Sequence, residues 1–176
     1  MMEAALYATV WAALICFVAG EAAKPVRYSA GPDRGWPWLV WTAGAALLAA
    51  HIAIALDVRH SWSHASVARA VAEQSRRVYG VGWGAGMLMN YLFAACWIGE
   101  ALWWAAAPGD YLNRPRLIRV AMRALYALIL VNAAVVFAAA SRRWAGVVLI
   151  AVLAWAWRDT FSARFAGDAV PVRVKV

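Results

Sequence analysis

The sequence predicts an all-α protein: a polytopic transmembrane helical bundle of about five spans plus one interfacial amphipathic helix. Three observations carry the prediction. Of 176 residues, 65% are hydrophobic and 15% charged, against about 45–50% and about 25% in a soluble domain. A chain this small cannot hide the excess in a soluble core, because a small domain keeps too much of its surface. Apolar runs near the ~20 residues that a crossing helix needs recur along the chain. Twelve tryptophans suit a protein that meets two membrane–water interfaces, where Trp is enriched.

Residues 1–176 read as one membrane domain. The first span covers 4–20 and is ended by Glu21, Lys24, Pro25 and Arg27. No basic region precedes its apolar run, so it reads as a retained helix rather than a cleaved signal. The turn "SAGPDRGWP" leads to the second span, 36–59, whose start is crowded by Trp36, Trp38 and Trp41. An interfacial helix is expected at 62–79. Ser61 or Ser63 is placed to cap it. Val67, Val71 and Val78 share one face, while Arg69, Glu73 and Arg77 pair four apart along the other. Glycines at 80, 82, 84 and 86 then suit a flexible entry, and Gly82 with Gly86 would also permit close helix approach.

The third span, 83–106, carries Asn90, Cys96 and Glu100. After the turn "APGDYLNRPR" the fourth, 117–140, carries Arg119 and Arg123 near its start and Asn132 deep inside. The fifth, 144–158, is short, and a polar tail, 159–176, follows it. Cys16 and Cys96 fall inside apolar segments at no motif spacing and read as buried free thiols. The tryptophans near the helix ends read as aromatic belts at the two interfaces, with only Trp11 and Trp97 lying deeper.

The net charge is +8. Because the basic residues cluster at the ends of apolar runs, the expected partners are anionic membrane lipids and other membrane subunits, and no nucleic acid. The first linker, the third linker with the start of the fourth span, and the tail hold eleven Lys and Arg residues; the opposite side holds six. The positive-inside rule then places a multi-pass protein in the cell's inner membrane with its N-terminus outside and its C-terminus cytoplasmic.

All three histidines lie in "HIAIALDVRHSWSH", His51 to His64. If the second helix ran unbroken to His64, Asp57, His60 and His64 would stand at i, i+3 and i+7 on one face. Two histidines four apart with a carboxylate form a candidate site for a divalent metal. The competing reading is an interfacial cluster, with Ser61 and Ser63 breaking the helix. His51 sits deep in the apolar run, where polar groups face a bundle interior and need a partner. It is a candidate axial ligand for a haem or bacteriochlorophyll-type pigment, with Met87 or Met89 as weaker candidates for a second ligand. The bland alternative is a neutral histidine hydrogen-bonded to a neighbouring helix, with Asn90 and Asn132 as candidate partners. Glu100 and Arg123 should reach the same depth in an antiparallel hairpin and form a structural ion pair. Arg116, Arg119 and Arg123 share a helix face that would suit a lipid headgroup or an acidic partner.

The function expected from these features is an accessory or structural subunit of a larger bioenergetic or photosynthetic membrane complex, holding a tetrapyrrole or other pigment through a histidine. That reading rests on small size and on scarce buried charge. A metal-dependent membrane enzyme or metal handler using Asp57, His60 and His64 is the alternative. A small-solute or proton transporter with a path through His51, Asn90, Asn132 and Glu100 is the second.

Overall fold

Helix α1, Met2–Tyr28, and helix α2, Gly35–His60, form an antiparallel hairpin with the most extensive helix contact in the molecule. The computed structural model describes residues 2–28, 35–138 and 140–162. Residues 29–34 of the first linker, and the tail beyond residue 162, lie outside the described residues. With them go Arg34, Arg164, Arg173 and Lys175 of the orientation count. The remaining helices are α3, His64–Tyr79; α4, Met87–Ala106; α5, Pro108–Leu112; α6, Arg116–Val131; and α7, Ala140–Ser162. A 3-10 turn, Gly84–Gly86, leads into α4, and a π-helical turn, Asn132–Val136, ends α6.

Four helical stretches are long and apolar enough to cross a membrane: Met2–Lys24, Gly35–His60, Gly84–Ala106 and Arg116–Val136. The fifth crossing expected at 144–158 is a helix, α7, but it is not among these four, and Arg142, Arg143 and Arg158 make its ends polar. Contacts show how far α7 reaches. The Arg142 guanidinium lies 4.0 Å above the Tyr7 ring, and Trp157 Nε1 donates to Glu21 Oε2 at 2.7 Å. Helix α7 therefore runs parallel to α1 from the Tyr7 level to the Glu21 level, the full depth of the bundle.

The break between α2 and α3 falls at Ser61 and Trp62, both in the left-handed region with φ of 44° and 59°. Ser63 then caps α3, its hydroxyl accepting from the Ser66 N–H at 3.2 Å. At the far end Gly80 takes φ 75°, and its N–H donates to the Arg76 carbonyl. This left-handed helix stop is one that glycine adopts without a Cβ clash. Helix α3 is amphipathic, as its sequence predicts, and packs chiefly on the glycine-rich turn that follows it. A Cβ at Gly84 would stand 2.8 Å from the Ala68 carbonyl oxygen. The alternating glycines thus let the turn nest against the α3 backbone rather than serving as a loose entry.

The core is aromatic. Phe17 of α1 meets Trp41 of α2 and Trp97 of α4 at centroid distances of 4.9 Å each, and Tyr126 of α6 at 5.1 Å. Edge-on and tilted pairs of this kind contribute about 0.5–1.5 kcal/mol each beyond their area. Trp41, Trp97 and Trp104 are fully buried. Trp36, Trp62, Trp83, Trp144 and Trp155 are exposed, as a belt requires, but the belt reading fails for buried Trp41, Trp104 and Trp157. These last three point inward because charged side chains, described next, occupy that end of the bundle. Cys16 and Cys96 are free, and half-buried rather than buried.

Candidate functional site

A cavity of about 570 Å³ opens in the half of the bundle that holds Tyr7. Helices α1, α2, α4, α6 and α7 all contribute to its wall. Such a volume falls in the range of about 300–1,000 Å³ usual for cofactor and small-molecule sites. His51 lines it together with Trp11, Met87, Asn90 and Tyr91; Arg59, His60 and Arg142 line its Tyr7 end.

His51 is held by its neighbour helix. Its Nδ1 lies 3.0 Å from the Leu6 carbonyl oxygen and 3.3 Å from Thr9 Oγ1. A carbonyl only accepts, so Nδ1 carries the proton and Nε2 carries the lone pair. Among the described residues Nε2 has no hydrogen-bond partner. The expectation of a partner on a neighbouring helix is met by α1 and not by Asn90 or Asn132. Asn132 is engaged elsewhere: it donates to the Leu128 carbonyl at 2.7 Å and accepts from the Tyr79 hydroxyl at 2.6 Å. Met87 shares the His51 cavity, whereas Met89 packs against the core and lines a separate cavity.

The divalent metal site expected at Asp57, His60 and His64 does not assemble. The left-handed turn at Ser61 and Trp62 swings His64 off the α2 axis. Each group then finds its own partner: Asp57 Oδ1 accepts from Trp62 Nε1 at 3.1 Å, His60 Nδ1 meets Ser66 Oγ at 3.1 Å, and His64 Nδ1 meets the Tyr91 hydroxyl at 3.0 Å. Among the described residues no three His, Cys, Asp or Glu side chains are grouped to hold a metal ion.

The opposite end of the bundle encloses charge. Glu21, Lys24, Glu100, Arg114 and Arg123 are all at most 6% exposed, so the expectation of scarce buried charge is wrong. Helix α1 does not end at Glu21 but continues through Lys24 and Pro25, and α5 with the following turn closes over this end. The Glu21 carboxylate receives Lys24 on one oxygen, and Trp157 Nε1 and Arg123 Nε (3.3 Å) on the other. Glu100 pairs with Arg114 at 3.2 Å and accepts from the Tyr126 hydroxyl at 2.9 Å. The Lys24 ammonium lies 3.3 Å above the Trp41 ring, a cation–π contact that is strongest where water is excluded.

Glu100 and Arg123 are both buried at this end, but the ion pair expected between them is not formed: Arg123 pairs with Glu21, and Glu100 with Arg114. In sequence terms Glu21 and Lys24 read as the interfacial end of the first span, because charges beside a proline at a span's end look like an interface. The proposed basic face also divides. Arg116 is exposed, Arg119 is half-buried with Nη2 3.5 Å from the Arg114 carbonyl, and Arg123 is buried on Glu21. Arg123 is therefore closed to a headgroup.

Between the two ends lies the layer of Phe17, Trp41, Phe93, Trp97 and Tyr126. It separates the His51 cavity from Glu100, so the four polar residues of the transport reading do not line one path. No family model, no curated protein and no solved structure matches this chain.

Proposed function

We propose that the protein is a membrane-embedded subunit that holds a tetrapyrrole in the cavity of the Tyr7 half, with His51 Nε2 as axial ligand to its metal. The observation that carries this is the state of the His51 ring. Its Nδ1–H is fixed on a backbone carbonyl while Nε2 is left without a protein partner beside a cofactor-sized cavity. That arrangement sets the tautomer and orientation a metal-ligating imidazole needs. His60 lines the same cavity but lies nine residues, about 13 Å along the helix, from His51. Among the described residues no trio is grouped to hold a metal ion, so a preformed cofactor held through His51 is favoured over a metal centre built by the protein.

Two further features fit. Arg59 and Arg142 line the same cavity, and Arg59 lies eight residues, or about 12 Å along the helix, from His51. They suit the carboxylates at the edge of a haem-type ring. Met87 offers a thioether as a second axial ligand, the His/Met pairing found in cytochromes c. The excess of basic residues in the segments at the Glu21 end supports a cytoplasmic position for that end. The cavity and α3 then belong to the outer half of an inner-membrane protein. In this reading the redox or light chemistry is completed by the other subunits of a bioenergetic or photosynthetic complex.

The test is an absorption spectrum of protein extracted in mild detergent, with haem b titrated into any colourless preparation. A Soret band is expected, lost in His51→Ala and kept in His60→Ala and His64→Ala. Protein that binds no haem, or that keeps the band without His51, would overturn the reading.

A further inference from the structure

A second cavity, about 500 Å³, lies beneath α3. Most of its wall is apolar: Val71 and Val81 from the α3 side, Trp83 from the glycine-rich turn, Leu128 from α6. It adjoins the His51 cavity, because Gln74, Asn90, Ile129, Ala133 and Phe137 line both. At that junction the only polar side chains are the carboxamides of Gln74 and Asn90; both residues are exposed, and neither has a hydrogen-bond partner among the described residues.

Resting on the tetrapyrrole reading, we infer that the ligand carries a long isoprenoid or acyl tail that occupies this second cavity. The tail leaves the ring at a hydroxyl or ester held by Gln74 and Asn90. Three features specify such a molecule. The first cavity joins a ligating nitrogen to cationic groups and so suits a ring. The junction offers paired donors and acceptors, which a hydroxyl or ester satisfies and a bare hydrocarbon does not. Beyond it the wall is apolar and shaped by α3, which the left-handed joints at Trp62 and Gly80 set across the bundle. Val81, Trp83 and Leu128 on its wall are each more than half exposed, so the cavity is an open groove whose wall lacks packing partners, and within a bilayer a chain fills it. A tail covalently joined to the ring reaches it at a high effective concentration, whereas a free lipid must be captured independently.

The experiment compares haem b, which has no such tail, with a hydroxyethylfarnesyl haem in titrations of the full chain in nanodiscs. The farnesylated haem should bind at least about tenfold tighter, roughly the gain from burying two methylene groups. Val71→Trp, which fills the second cavity only, should remove that advantage and leave haem b binding unchanged. Leu128→Phe, on the opposite wall, repeats the test should the first variant misfold. Equal affinities for the two haems in the unaltered protein would overturn the tail while leaving the ring site standing. A preference that survives both filling variants would also overturn it. Failure of both haems to bind would defeat the ring site, and the tail with it.

Discussion

At the scale of single residues, the three histidines show why spacing alone does not define a site. His60 and His64 have the more familiar metal-ligand spacing, yet their Nδ1 atoms are spent on Ser66 and Tyr91. His51 has no motif around it, yet its Nδ1 is fixed on a backbone carbonyl, which only accepts, so its Nε2 keeps the lone pair beside the cavity. His60 lines the same cavity but rests on a hydroxyl that can donate or accept. Its depth in an apolar run was legible. Its partner was not, because a helical carbonyl with a spare lone pair leaves no mark in sequence. Glu21 makes the sharper prediction. Glu21→Gln leaves Lys24 and Arg123 buried without their counter-charge, and should destabilise the protein by about 3–5 kcal/mol. The exposed Arg59–Glu3 pair (46% and 64% exposed) gives the control: Glu3→Gln should change stability by less than about 1 kcal/mol. Thermal unfolding of both variants in detergent measures the contrast, and equal losses would reject the idea that burial sets the difference.

Among the elements, the apolar runs made every main helix legible, and the alternation of valines with charged residues made α3 legible as amphipathic. Two lengths were misjudged for a common reason. Helix α1 runs on past Glu21 because α2, α6 and α7 supply partners for its charges, and no local signal reports partners so distant in sequence. The fourth span reaches only Val131 as an α-helix, then widens into the π-helical turn at Asn132–Val136. Helix α7 closes tightly on that turn: a Cβ at Gly146 would stand 1.9 Å from the Ala134 carbonyl oxygen. Gly146→Ala should therefore destabilise by about 2 kcal/mol or more, the usual scale of overpacking where backbone must move. Gly99, in the middle of α4, has nothing within 4 Å of its missing Cβ. There the same substitution should stabilise by about 0.5–1 kcal/mol through helix propensity alone. Opposite signs for the two glycines, read as shifts in melting temperature, would confirm that α7 seats on the π-helical turn.

For the whole molecule, the helical membrane class was legible from composition, and the division into two unlike halves was not. One half holds a ligand-sized cavity and the other a solid knot of ions and aromatics, though both contribute similar apolar letters to the sequence. The proposed orientation puts α3 outside and α5 inside. In a background lacking Cys16 and Cys96, a cysteine replacing exposed Glu73 should react with a membrane-impermeant maleimide on intact cells. One replacing exposed Asp110 should react only after lysis. The reverse pattern would invert the molecule in the membrane, and labelling of both on intact cells would leave α4 uncrossed.

The wall of the first cavity draws on Tyr7 near one end of the described chain and on Arg142 near the other. During synthesis the pocket consequently has no complete wall until α7 has docked beside α1. Under the proposed function, cofactor delivery follows docking of α7, and a nascent chain stalled before Ala140 would carry His51 without Arg142, part of the cavity wall. On that reading maturation is a two-step affair in time, with the chain threaded first and the passenger seated afterwards.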